Sequence, residues 1–120
     1  MSSQLDDFLG AHSSLTRRQI ECLSLQLSVQ NRAEDEPKGE SPHKISGVSE
    51  GSHYRVLSQA KNNVDQALYT LLLCSRMGII QMEDFNRLLK LMNKAPSEVP
   101  ESSEQVMLLV EALVKKIVML

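Results

Sequence analysis

Aromatic residues are scarce in this 120-residue chain: two Tyr, two Phe and no Trp, 3% in all. Any core must therefore be assembled from Leu, Val, Ile, Met and Ala. An aliphatic core with few alternating β-branched runs suits helix packing better than a sheet. Glycine is also sparse, at five residues, and none of the five sits in a Gly-rich phosphate loop. The serines are numerous, yet none stands in the strand–turn–helix glycine frame that presents a nucleophile. Histidine occurs three times, at His12, His43 and His53. None shares a short metal-ligand spacing with Cys22 or Cys74, and His53 is expected at the start of a helix, exposed or capping. The two cysteines lie in apolar periodic segments and are expected to remain reduced and packed. Cys74, near Arg76, reads as a small buried hydrophobe rather than an activated thiol. These shortages predict no enzyme, no cofactor and no metal.

Charge of one sign is lacking too. The formal net charge is −2 and the sequence pI is about 5.9. Lys and Arg are spread through the chain without clustering near aromatics, so no nucleic-acid footprint stands out. No run reaches the roughly 20 apolar residues of a membrane span. The first ten residues, MSSQLDDFLG, are acidic where a secretory signal would be basic. A cytoplasmic or nuclear protein is the expectation, without a membrane span or an evident small-molecule substrate.

The strongest positive feature is the stretch Val106 to Leu120, apolar except at Glu111, Lys115 and Lys116. As a helix it has no reliably polar face. Val106, Val110, Leu113, Val114 and Ile117 fill one side, while Leu108, Ala112 and Met119 intrude on the other. A helix apolar nearly all round must be covered on most sides.

Upstream, four segments precede it. Residues 1–31 form an amino-terminal arm, with Leu5, Phe8 and Leu9 at helical spacing before Gly10. Thr16 and Gln19 then have capping-box spacing, and Leu15 and Ile20 stand where a hydrophobic staple would. The alternation of Leu23, Leu25, Leu27 and Val29 also fits a strand; the cap favours a helix. Residues 32–52 concentrate Glu, Pro, Gly and Ser, a composition expected to be disordered. The body, 53–120, opens with a helix over about 53–77. Its seam reads Tyr54, Leu57, Lys61, Val64, Leu68 and Leu71, alternating three and four, with Lys61 as the polar intruder. Gly78 stands where a left-handed cap residue is wanted. A third helix is expected over about 81–93, with Glu83 and Arg87 paired across one turn. Pro96 and Pro100 stiffen the connector to the last helix, for which Ser102 or Ser103 supplies the cap.

The whole is an all-α chain: a small antiparallel three-helix bundle, four-membered if the arm folds back. The body is about 68 residues long, a size that buries only some 60% of its unfolded surface.

Two short stretches resemble known motifs. Gly78-Ile79-Ile80-Gln81-Met82-Glu83-Asp84-Phe85 resembles the back half of an EF-hand. In that register Gly78 makes the sharp turn, Ile80 is the central β-contact residue and Asp84 takes the final ligand position. The first side-chain ligand positions then fall on Leu73, Ser75 and Met77, which cannot cage calcium. Leu15-Thr16-Arg17-Arg18-Gln19-Ile20-Glu21-Cys22-Leu23 is similar to the opening of the LuxR-type helix-turn-helix, which would imply DNA binding. A DNA-reading second helix should follow within about a dozen residues; the polar linker follows instead. The leucines from Ile20 to Leu27 have the close spacing of nuclear export signals, which ordinary amphipathic helices share. Ser41-Pro42 is a permissible proline-directed phosphorylation site.

The function expected is a non-enzymatic interaction subunit or adaptor that docks a protein partner or another copy of itself. Its anchors would be Leu109, Leu113 and Ile117, supported by Val110, Val114 and the Lys61-bearing seam, with Lys115 and Lys116 as rim charges. The alternative is a nucleic-acid-associated regulator using the helix that begins Thr16-Arg17-Arg18.

Overall fold

The structure, a computed structural model, describes residues 4–31, 47, 49–93 and 103–120. Among these residues the chain is all-α, with helices α1 (Gln4–His12), α2 (Arg17–Gln30), α3 (Glu50–Met77), α4 (Met82–Met92) and α5 (Ser103–Ile117). The connector with Pro96 and Pro100, the Ser102 cap and most of the 32–52 segment lie outside the described residues. Residues 47 and 49–52 are described, and 50–52 form the first turn of α3, three residues before the expected start. Ser49 explains the earlier start. Its hydroxyl accepts from the Ser52 backbone N–H at 3.2 Å and its carbonyl from that of His53 at 3.0 Å, so one residue satisfies two donors at the helix end.

Packing gathers the helices into two compact units that do not follow chain order: residues 12–66, and residues 1–11 with 67–120. The arm read from the sequence as one piece is thus shared between them.

In the unit of residues 12–66, α2 is a helix through Gln30, which resolves the helix-or-strand ambiguity. The capping box is complete: the Gln19 N–H donates to the Thr16 hydroxyl at 3.1 Å and the Thr16 N–H to Gln19 Oε1 at 3.0 Å. Gln19 Oε1 also accepts from Asn63 Nδ2 at 3.3 Å. Asn63 Nδ2 donates to the Ser14 carbonyl as well, and its Oδ1 accepts from the Ser14 hydroxyl, both at 2.7 Å. A local helix cap therefore also ties the start of α2 to the middle of α3. Among the described residues, Cys22, Val56, Ala60 and His53 are the buried side chains of this unit.

The other unit is built on α4 and α5. Leu88, Val106, Val110 and Ile117 form its buried cluster, and Leu5 and Phe8 of α1 pack on it beside Ile80, Phe85, Met92 and Leu113. Gln81 caps α4, its Oε1 accepting from the Glu83 N–H at 2.9 Å. At the end of α3, Gly78 has φ +81°, a conformation that only glycine adopts without strain. The Ile79 N–H reaches back to the Cys74 carbonyl at 3.2 Å and that of Gly78 to Ser75 at 3.1 Å. This is the nested pair of a Schellman cap, which closes the last orphan carbonyls of the helix. Ile80 then forms an antiparallel bridge with Val118. The Gln81 N–H donates to the Ile117 carbonyl and the Met119 N–H to that of Ile79, each at 2.8 Å. The EF-hand-like corner keeps its sharp turn and β-contact, and Asp84 is used differently, as shown next.

Candidate functional site

Helix α5 turns one row inward. Val106, Val110 and Ile117 are buried, with Leu113 half-buried beside them. Of the anchors expected from the sequence, Val110, Ile117 and most of Leu113 are therefore used by the chain's own core. Leu109 and Val114 lie on the shoulders of that row and stay exposed. Leu108, on the far side, is 60% exposed, and Met119 beyond the helix is 57% exposed. Lys115 is exposed too, whereas Lys116 reaches Asp84, its Nζ 3.3 Å from Oδ2. Arg87 Nη1 donates to Oδ1 of the same carboxylate at 3.4 Å. Asp84 is itself buried, and the two cations offset the cost of desolvating it. The expected Glu83–Arg87 pair is replaced by Asp84–Arg87, because Asp84 points into the unit and Glu83 does not.

A larger apolar surface lies on α3, where the sequence seam breaks in two. Its first part faces α2. Tyr54, Leu57 and Lys61 line an open groove of about 350 Å³ with Leu23, Gln26 and Leu27. The Gln26 Oε1 atom there is buried and has no partner among the described residues. The second part, Val64, Leu68 and Leu71, stays exposed.

The opposite row of α3 was not singled out from the sequence. It reads Arg55, Gln59, Asn62, Gln66 and then Tyr69, Leu73, Met77, all exposed and within about 80° of arc at 100° per residue. The row changes from polar to apolar after Gln66. Tyr69 is 73% exposed, Leu72 62%, Leu73 60% and Met77 64%. From Val64 to Met77 only Cys74 is even half-buried. This stretch is thus apolar on opposite sides and open on nearly all of them. A signal for it existed: the four-residue spacing of Tyr69, Leu73 and Met77, hidden because the seam on the other face was the longer.

His53 departs from its expected place. It is fully buried, with its ring edge-on to Tyr54 at a centroid distance of 5.0 Å. Neither ring nitrogen has a partner among the described residues. Arg17 pairs with Glu21 at 3.6 Å on the exposed surface of α2, and Arg18 Nη2 donates to the Ser52 hydroxyl at 3.1 Å. Among the described residues, no three His, Cys, Asp or Glu side chains gather as a metal site requires. No helix described is long and apolar enough to cross a membrane. Comparison with protein families, with curated proteins and with solved structures returns no match.

Proposed function

We propose that this chain is a non-enzymatic interaction subunit or adaptor of a larger protein assembly. Its docking elements are the second half of α3, with Tyr69, Leu72, Leu73 and Met77, and the exposed positions of α5, Leu108 on the far side and Leu109 and Val114 on the shoulders of the buried row. The observation that carries this reading is the change along one exposed row of α3, from Arg55, Gln59, Asn62 and Gln66 to Tyr69, Leu73 and Met77. Contiguous apolar surface on an otherwise polar protein marks a contact with another protein or a membrane. The apolar rows lie on opposite sides of one helix. A single interfacial plane wets only one side, so protein cover fits better than a lipid surface. The non-enzymatic part rests on the sequence argument about histidines and serines. The cytoplasmic or nuclear compartment we propose rests likewise on the sequence alone.

Site-directed photo-crosslinking in the native cells tests the reading. A benzophenone side chain at position 73 is expected to give a defined protein adduct, whereas the same probe at position 59, on the same row, gives none. Equal labelling from the two positions would overturn it.

A further inference from the structure

The outer surface of α3 carries a charge pattern that complements itself. Asp65, Tyr69, Leu72 and Arg76 follow one another at spacings of four, three and four, which keeps them in a stripe about 60° wide. All four are exposed, and Tyr69 and Leu72 are among the most open apolar side chains of the helix. Leu68 and Leu73 border the stripe on its two sides. An acid therefore ends the apolar pair on one side and a base on the other. Asp65 and Arg76 are about 16 Å apart along the axis, too far to meet within one helix. Neither makes an ion pair among the described residues.

We infer that this stripe pairs with the same stripe of a second copy of the chain, antiparallel about a two-fold axis between residues 70 and 71. The inference rests on the docking reading above and names one partner for it. In that register the numbers of facing residues sum to 141. Asp65 meets Arg76 of the second copy, Tyr69 meets its Leu72, and the symmetry repeats both contacts. A parallel pairing would set Asp65 on Asp65 and Arg76 on Arg76, so charge selects the antiparallel register. Only about three turns of helix take part, far less than the ~800 Å² per partner of a stable complex. The self-association is accordingly weak, in the micromolar range or above, and leaves the Leu73–Met77 row free for further cover.

Sedimentation equilibrium of the full chain, with charge-reversal variants, tests the register. The wild type is expected to form a dimer as its concentration rises to several hundred micromolar. Asp65→Arg alone places two Arg–Arg contacts in the interface, and Arg76→Asp alone two Asp–Asp contacts. Each should weaken dimerisation roughly tenfold or more. Mixing the two single variants restores opposite charges at both contacts, so a heterodimer of wild-type strength should form. That recovery also shows that both variants are folded. A wild type that stays monomeric, single variants that dimerise as the wild type does, or a mixture that fails to recover would each overturn the pairing. Failure here together with a position-73 adduct to a different protein would leave the docking reading standing and remove only the self-pairing.

Discussion

Up to Gln66, α3 behaves as a surface helix of a small domain: one row buried, with Val56 and Ala60 against its own unit, and the opposite row polar. Beyond Gln66 the backbone is the same, yet apolar side chains occupy both rows and none of the described residues covers them. Within one helix the amphipathic pattern thus records two different surroundings. The first half buries its inner row among the described residues; under the proposed function the second is composed for a neighbour. The outer side of α5 repeats the second pattern, with Leu108 exposed on the helix whose inner row holds the core.

The largest expected effect sharpens that contrast on α5. Val110→Asp puts an unpaired charge into the buried cluster and should cost more than about 3 kcal/mol, enough to unfold the α4–α5 unit. Leu109→Asp, one residue away and exposed, should change stability by less than about 0.5 kcal/mol. Urea unfolding followed by circular dichroism separates them. The same comparison can be made along α3. Ala60 is fully buried and Ala67 is exposed. Ala60→Phe should overpack the buried row of α3 and cost about 1–3 kcal/mol, whereas Ala67→Phe should leave the urea midpoint of the isolated chain nearly unchanged. Equal losses at the two sites would erase the distinction between the halves.

Smaller effects probe what holds the first half in place. Thr16→Ala removes the cap acceptor and loosens the Gln19–Asn63 tie, for an expected loss of about 1 kcal/mol. His53→Leu should raise stability, by about 1 kcal/mol, because two unpartnered ring nitrogens are replaced by an apolar side chain of similar size. A clear loss of stability on that change would contradict the unpartnered imidazole. Smallest of all, Leu73→Ser should move the urea midpoint of the isolated chain by less than the equivalent of about 0.5 kcal/mol.

Local chemistry was legible in the sequence. The Thr16–Gln19 box, the Gly78 cap and the extent of α4 depend on residues within a few positions of one another, and all appear as expected. Which side of an apolar helix faces inward depends on distant residues, and there the reading divided. For α5, near-uniform hydrophobicity concealed that the Val106–Val110–Ile117 row would be the core, so Val110 and Ile117 were expected at a partner when they pack at home. For α3, the regular seam drew attention from Tyr69, Leu73 and Met77. The buried places of His53 and Asp84 were also hidden. Nothing near Asp84 in the sequence indicates that Lys116, 32 positions later, would reach its carboxylate.

The two tyrosines offer the most direct test. Tyr54 lines the groove against α2 and is 44% exposed, while Tyr69 stands in the second half of α3 and is 73% exposed. Hydroxyl-radical footprinting of dilute isolated chain should therefore oxidise Tyr69 faster than Tyr54. In the protein as it exists in its native cells the order should reverse, with Tyr69 protected by whatever covers α3. If Tyr69 remains the faster of the two in that material, the second half of α3 faces water in the working protein and the account fails.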